Sequence, residues 1–194
     1  EMIAATEALM AENVKVLREG EDYWVTQRIT AGIRALDGEP ETATGSTVII
    51  ECTPLPLRAR ARYFRDGIDA VVSARPKIAP EALSPQAKTT NYLNMMLAQA
   101  EASAGRPGAW AIQPDKNGNL AEGAGNNVFF VKKGVVHTPT DAYVLPGVSR
   151  SVVIEICRDL RIPLVEADVS LHLAMTADEA FFTGTAVEIT PIRE

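Results

Sequence analysis

Four stretches carry side chains whose types and spacing could do chemistry. In SPQAKTTNYLNMMLAQAEASAG, Lys88 stands directly ahead of a segment where Leu93, Met96, Leu97 and Ala100 recur at i, i+3, i+4 and i+7. That is the spacing of one buried helical face. Thr89 or Thr90 is placed to cap this helix, and the positive end of its dipole disfavours an ammonium. Lys88 is thereby pushed toward the neutral amine, a nucleophile of the kind that forms Schiff bases. In EGAGNN, Gly123 and Gly125 match the first half of a GxGxxG dinucleotide fingerprint. Val128 stands where the third glycine belongs, however, and the glycines run into the strand-like VFFV rather than a helix. They are better explained by a tight turn or a close backbone approach, with Glu122 beside it. Spacing leaves open whether Glu122 is a site group or a solvated carboxylate at a strand end.

The other two stretches read as anion sites. In LPGVSRSVVIEIC, Gly147 and Val148 precede a helix with Val152, Val153, Ile156 and Leu160 on its apolar face, and Ser149 is a natural N-cap. Free backbone N–H groups behind a flexible glycine and a hydroxyl suit a phosphate, although a plain capped helix after a Pro-Gly turn has the same sequence. FFTGTAVEITP offers Gly184 and Thr185 in a second small-residue turn. Two such turns could hold one phosphate from two sides.

The elements that must position these groups follow from periodicity and turn signals. Residues 1–20 read as a helix that opens without a cap, as a beginning cut from something longer would. DYWVTQRIT and STVIIECT read as strands around a Gly/Pro/Glu-rich loop at 37–46, and TPLPLRA, with Pro54 and Pro56, is the linker. The expected organisation is thus a remainder of a small N-terminal α+β domain over 1–56 and a larger mixed α/β domain over 57–194. In the second, strands GIDAVVSA, AWAIQ and LAE, the hairpin NNVFFVKKGVVHTP, PLVEADV and AFFTGT alternate with helices after Lys88, over SRSVVIEICRDL and over TADEA.

Composition narrows the function classes. The 194 residues, 46% of them hydrophobic, suffice for one full core or for one large and one small domain. A net charge of −6 leaves no basic face for a nucleic acid. No apolar run approaches the ~20 residues of a membrane span, so a cytoplasmic protein is the default. Cys52 and Cys157 are distant and lack CxxC spacing, and His137 and His172 are the only histidines, so neither a metal site nor a disulfide framework is indicated.

Taken in order, AKTTNYL, NGNLAEGAGNNVFFVKKGVVHTP, YVLPGVSRSVVIEI, EADVSL and TADEAFFTGTAVEITPIR resemble the class IV aminotransferases of fold type IV, which use pyridoxal 5′-phosphate. The branched-chain aminotransferases look most similar. The resemblance implies that Lys88 links covalently to the cofactor and shuttles the substrate proton, that Tyr92 bonds the cofactor's phenolic oxygen, and that Glu122 keeps the pyridine nitrogen protonated. It further implies that Gly147, Val148, Ser149, Gly184 and Thr185 bind the phosphate, with a homodimer as the assembly. Lys77, in the Pro-rich loop, is expected to be ordinary. Family members start some tens of residues earlier, with an arginine that contacts the phosphate, and continue into a further strand and helix, so the sequence is expected to be part of a longer protein.

The implied activity is transfer of an amino group between an amino acid and a 2-oxo acid. A D-amino-acid or (R)-amine transaminase and an aminodeoxychorismate lyase are the alternatives on the same fold; an inactive small-ligand binder is the non-enzyme alternative. In the D-amino-acid branch an arginine before the glycine of the strand matching WVTQRITAG clamps the substrate carboxylate. Ala31 stands there instead, and Arg28 should point to the opposite face of the strand. A branched-chain L-amino acid is therefore the expected substrate.

Overall fold

The computed structural model describes residues 1–35, 37–39 and 44–193; the loop expected at 37–46 lies partly outside them. The chain separates into two compact units, Glu1–Ala59 and Arg60–Glu194.

In the first unit, helix α1 (Met2–Asn13) and a short 3-10 turn lead to an antiparallel pair, β1 (Asp22–Ile29) and β2 (Val48–Leu55). Gln27 on β1 donates to the Thr6 hydroxyl of α1 at 2.6 Å. Pro54 lies inside β2, which is tolerable because a two-stranded sheet has only edges. Pro56 directly precedes a helix absent from the sequence reading, α2 (Leu57–Asp66).

The second unit holds the core. A three-stranded sheet, β3 (Ala70–Val72), β4 (Trp110–Pro114) and β5 (Leu120–Gly123), stands beside a five-stranded sheet. The latter has the order β10 (Glu188–Ile192), β9 (Glu179–Gly184), β6 (Asn127–Lys132), β7 (Val135–Thr138), β8 (Leu164–Glu166). The parallel pairs β3/β4 and β7/β8 are each joined through a helix, α3 (Leu93–Gly105) and α4 (Val148–Asp159), because a parallel connection must cross the sheet. The β6–β7 hairpin turns on Lys133 and Gly134, both at positive φ.

The two sheets are stitched at both edges. Ile68 N–H donates to the Pro191 carbonyl and Arg193 N–H to the Ile68 carbonyl, both at 2.9 Å, while Leu120 N–H donates to the Val169 carbonyl at 2.8 Å. The sheets thus nearly close on themselves around Ile68, Ile112, Leu120, Val128, Phe130, Val169 and Phe182. At one rim the end of β5, the start of β6 and the end of β9 come together, since Asn127 is paired with Thr183.

The helices sit on the sheets by other faces than hydropathy suggests. On α3 it is Ala98 and Ala102 that are buried, against Ala111, while Leu93, Met96 and Leu97 are exposed. On α4 the buried row is Arg150, Val153 and Cys157, leaving Val152, Ile156 and Leu160 in the open. The helix expected over TADEA is instead α5 (Leu171–Met175), whose N-cap Ser170 accepts from Leu173 N–H. Thr176 ends it, and Glu179 already belongs to β9.

Candidate active site

A cavity of about 310 Å³ lies at the rim described above, within the second unit. Lys88, Tyr92, Glu122, Gly147, Val148, Ser149, Gly184 and Thr185 all line it.

Lys88 lies in the loop ahead of α3, whose N-cap is Tyr92. Neither Thr89 nor Thr90 caps the helix, and no side chain does. With the first helical residue at Leu93, Lys88 is outside the first turn, so the helix dipole does not reach it as expected. What positions it is a succession of tight turns: Ala87 N–H to Ser84 O at 3.2 Å, Thr89 N–H to Ala87 O at 2.9 Å and Tyr92 N–H to Thr90 O at 2.9 Å. These turns bring the Lys88 Nζ to the Tyr92 hydroxyl, at 3.5 Å. The amine is exposed and this contact is at the outer limit of a hydrogen bond.

Glu122 is set quite differently. It sits on β5, 5% exposed, with both carboxylate oxygens engaged. Oε1 accepts from Lys77 Nζ at 2.6 Å. Oε2 accepts from Leu145 N–H at 2.9 Å and from the Asn127 amide at 3.1 Å. Burial pushes its carboxyl above the usual range, opposed by the charge and hydrogen bond of Lys77, then by Leu145 N–H and the charge of Lys88. The solvated strand end that spacing left open is thereby excluded.

The third side is the start of α4. Gly147, in extended conformation, is its N-cap, so Ser149 is the second helical residue rather than the cap. A methyl group on Gly147 would lie 2.3 Å from Asn127 Oδ1, which explains the glycine. As first-turn residues, Val148 and Ser149 have N–H groups without a helical carbonyl to bond. Opposite in sequence, the β9–β10 turn carries Gly184 and Thr185, closed by Val187 N–H to Gly184 O at 3.1 Å. Beside it lies Thr183, one of the residues along the cavity, its hydroxyl buried and without a hydrogen-bond partner.

One cavity thus gathers an amine, a buried carboxylate, the first turn of α4 and the Gly184–Thr185 turn. The family follows from the whole chain, since the model of amino-transferase class IV matches residues 3–194. The chain belongs to that family. A putative branched-chain-amino-acid aminotransferase of Methanocaldococcus jannaschii is 35% identical over 175 residues, covering 89% of this chain and 59% of the relative. Among solved structures, the branched-chain amino acid aminotransferase from Escherichia coli superposes with a TM-score of 0.84 at 33% identity, covering 100% of this chain and 61% of that one. The branched-chain amino acid aminotransferase from Thermobaculum terrenum, in its PLP-bound holo form, gives 0.79 at 29% identity, covering 95% and 59%. The chain thus spans about three-fifths of the length of these proteins. Its fold is the α+β fold type IV of the class.

Sequence reasoning missed two groups of this cavity wall, Lys77 and Asn127, and one behind it, Gln113. Lys77 is not ordinary: its side chain is 11% exposed and bound to Glu122. Asn127 ties Glu122 to Leu145 O, donating to the latter at 2.9 Å. Gln113, fully buried on β4 and paired with Glu122 across the sheet, donates to Asn94 Oδ1 at 2.7 Å and to the Arg75 and Pro76 carbonyls at 3.2 and 3.3 Å. A lone glutamine ending the apolar run AWAIQ was the signal available for it.

Proposed function

We propose that this chain carries the cofactor site of a pyridoxal 5′-phosphate-dependent transaminase that moves an amino group between a branched-chain amino acid and a 2-oxo acid. The observation that supports it above all is the single cavity shared by Lys88, Tyr92, Glu122, the first turn of α4 and the Gly184–Thr185 turn. These residues fit the cofactor: the orphaned Thr183 hydroxyl and the first-turn amides suit a phosphate, and the buried carboxylate suits a protonated ring nitrogen. When bound, pyridoxal 5′-phosphate supplies the carbonyl and the electron sink for amino-group transfer. Val148, Ser149, Gly147, Gly184 and Thr185 hold the phosphate, Tyr92 donates to the phenolic oxygen, and Glu122 holds a proton on the ring nitrogen. Lys88 is the covalent anchor and the base that moves the substrate proton. Lys77 is unsuited to that part, because its ammonium is committed to a buried carboxylate, whereas among the described residues Lys88 Nζ bonds only the Tyr92 hydroxyl.

For the substrate, Arg28 on β1 is paired with Glu51 on β2, which supports a pocket without a carboxylate-clamping arginine at this strand. Residues 1–56 are taken as the remainder of a small domain and 57–194 as the cofactor domain. The exposed Leu93, Met96 and Leu97 of α3 support a homodimer, and the acidic, unspanned chain a cytoplasmic one; among the described residues no helix is long and apolar enough to cross a membrane.

The experiment adds cofactor to the full-length protein and follows the visible band with L-leucine, D-alanine and (R)-1-phenylethylamine in turn. Rapid loss with L-leucine is expected. Loss with D-alanine or the amine alone moves the protein to those branches, a band that no donor alters points to the lyase, and the absence of any band refutes the cofactor.

A further inference from the structure

The Lys77–Glu122 pair stands apart from other ion pairs among the described residues, such as Arg75–Glu101 and Lys15–Glu12, whose partners are about 40% exposed or more. Here both side chains are nearly out of water, at 11% and 7%. A carboxylate so buried is forced toward its neutral form unless a charge and hydrogen bonds hold it ionised. Lys77 is delivered to it by a built support. Its own N–H donates to the Pro114 carbonyl at 2.8 Å. The residues just before it are pinned by Gln113, at 3.2 and 3.3 Å, and by the Asn94 amide, which donates to Pro76 O at 3.1 Å. Asn94 lies on α3, the helix that starts after Lys88, so the loops of both lysines hang on one element.

We propose that Lys77 is a positioning residue of this site: it keeps Glu122 ionised and fixes the direction of its carboxylate, without reacting itself. Oxygen acceptors have two lone-pair sites each, and Oε1 spends one on Lys77 while Oε2 takes both Leu145 N–H and the Asn127 amide. One acceptor position therefore stays open on Oε1. It is the position a protonated ring nitrogen would use, so the assignment rests on the transaminase reading. Of the charged groups facing Glu122, Lys77 is the bonded one and Lys88 acts on it only through its charge. Gln113, Asn127 and Leu145 are uncharged.

The test uses the full-length protein in two states. Without cofactor, the Glu122 carboxyl is titrated by carbon-13 NMR, its signal assigned by its loss in Glu122→Gln, for wild type, Lys77→Met, Lys77→Gln and Lys77→Arg. Loss of the neighbouring charge should raise the midpoint by at least about one unit in the Met and Gln variants, and Arg should restore it. An unchanged midpoint in a folded Met or Gln variant overturns the proposal. If neither folds, the Arg variant decides, a midpoint within half a unit of wild type agreeing with the proposal and a rise of about one unit or more overturning it. With cofactor, borohydride fixation should still label the Lys88 peptide in Lys77→Met, and the pH optimum of the half-reaction with L-leucine should move to higher pH; a slower reaction with an unmoved optimum means a structural role only and overturns the proposal. Because the titration needs no cofactor, a shifted midpoint with no amino-donor reaction would refute the transaminase reading and leave the Lys77–Glu122 coupling standing.

Discussion

Glu122 is buried and its carboxylate is held on both oxygens: it takes Lys77, Asn127 and Leu145, and the Asn127 and Gln113 amide groups fasten the loops behind it. Around Lys88, on the same cavity, the backbone is held by single tight turns and the amine touches one hydroxyl at 3.5 Å. A group whose charge must persist out of water needs partners on both oxygens, because leaving a buried polar group unpartnered costs about 1–3 kcal/mol, or more for a charge. In the proposed reaction Lys88 would act as nucleophile, be released and serve as a base, and an amine with that task cannot be so enclosed; its one contact, at 3.5 Å, holds it weakly. On the proposed function, the two regions would divide the work of one site between a fixed charge and a mobile amine.

The sharpest way to break that contrast is Lys88→Ala. Loss of the base alone is expected to lower turnover by about 10²- to 10⁴-fold, with loss of the covalent anchor adding to it. Since Lys88 is exposed and makes one marginal contact, unfolding free energy should stay within about 0.5 kcal/mol of wild type. Steady-state rates and urea unfolding measure both. A variant with near-normal turnover, or one that loses activity only by unfolding, would show that Lys88 is not the mobile partner.

Glu122→Gln probes the fixed partner and should cost on the order of 10²-fold in turnover, the scale of a lost preorganised charge, with cofactor binding reduced far less. It also has a pH signature in the cofactor-free protein. Burial leaves this carboxyl above its ordinary range despite Lys77. The folded chain then binds the proton more tightly than the unfolded one, so the group's contribution is present below the unfolded value of about 4.3 and is lost as pH rises through the folded value. The stability gap between wild type and Glu122→Gln should therefore shift in the variant's favour as pH is raised from about 4 toward neutrality. A gap that stays flat would mean a carboxyl that titrates as if in water.

The same contrast separates what could be read in the sequence from what could not. VFFV, AWAIQ and AFFTGT announce strands because they are apolar runs with strand-length spacing, and β6, β4 and β9 follow them. Site groups on sharp turns, such as Gly147 and Gly184, were legible because small residues mark close approach, and a Cβ at Gly147 would indeed strike Asn127. Lys77 was illegible: its loop RPKIAPEALSPQ is polar and proline-rich, and its burial is made by Glu122 on β5 and by Gln113 on β4, both distant in sequence. Helix faces failed for another reason. Large apolar residues dominate a hydrophobic pattern, yet close packing of α3 on β4 selects small ones, Ala98 and Ala102 against Ala111.

The smallest expected effect belongs to Tyr92→Phe. Tyr92 is 38% exposed at the N-cap of α3, and among the described residues its hydroxyl accepts only the weak bond from Lys88. Removing the hydroxyl leaves the ring where it packs, so stability should change by no more than about 0.5 kcal/mol. Turnover should fall roughly threefold to tenfold, the value of one hydrogen bond of about 1 kcal/mol to the cofactor's phenolic oxygen. Thermal unfolding and kcat with L-leucine check the two parts. A loss beyond about a hundredfold would make the hydroxyl part of the fixed-charge machinery, in which Lys88 is held as firmly as Glu122. No loss at all would leave Lys88 with no working partner on its side of the cavity, and the mobile amine would then owe its position to the Ser84–Tyr92 turns alone.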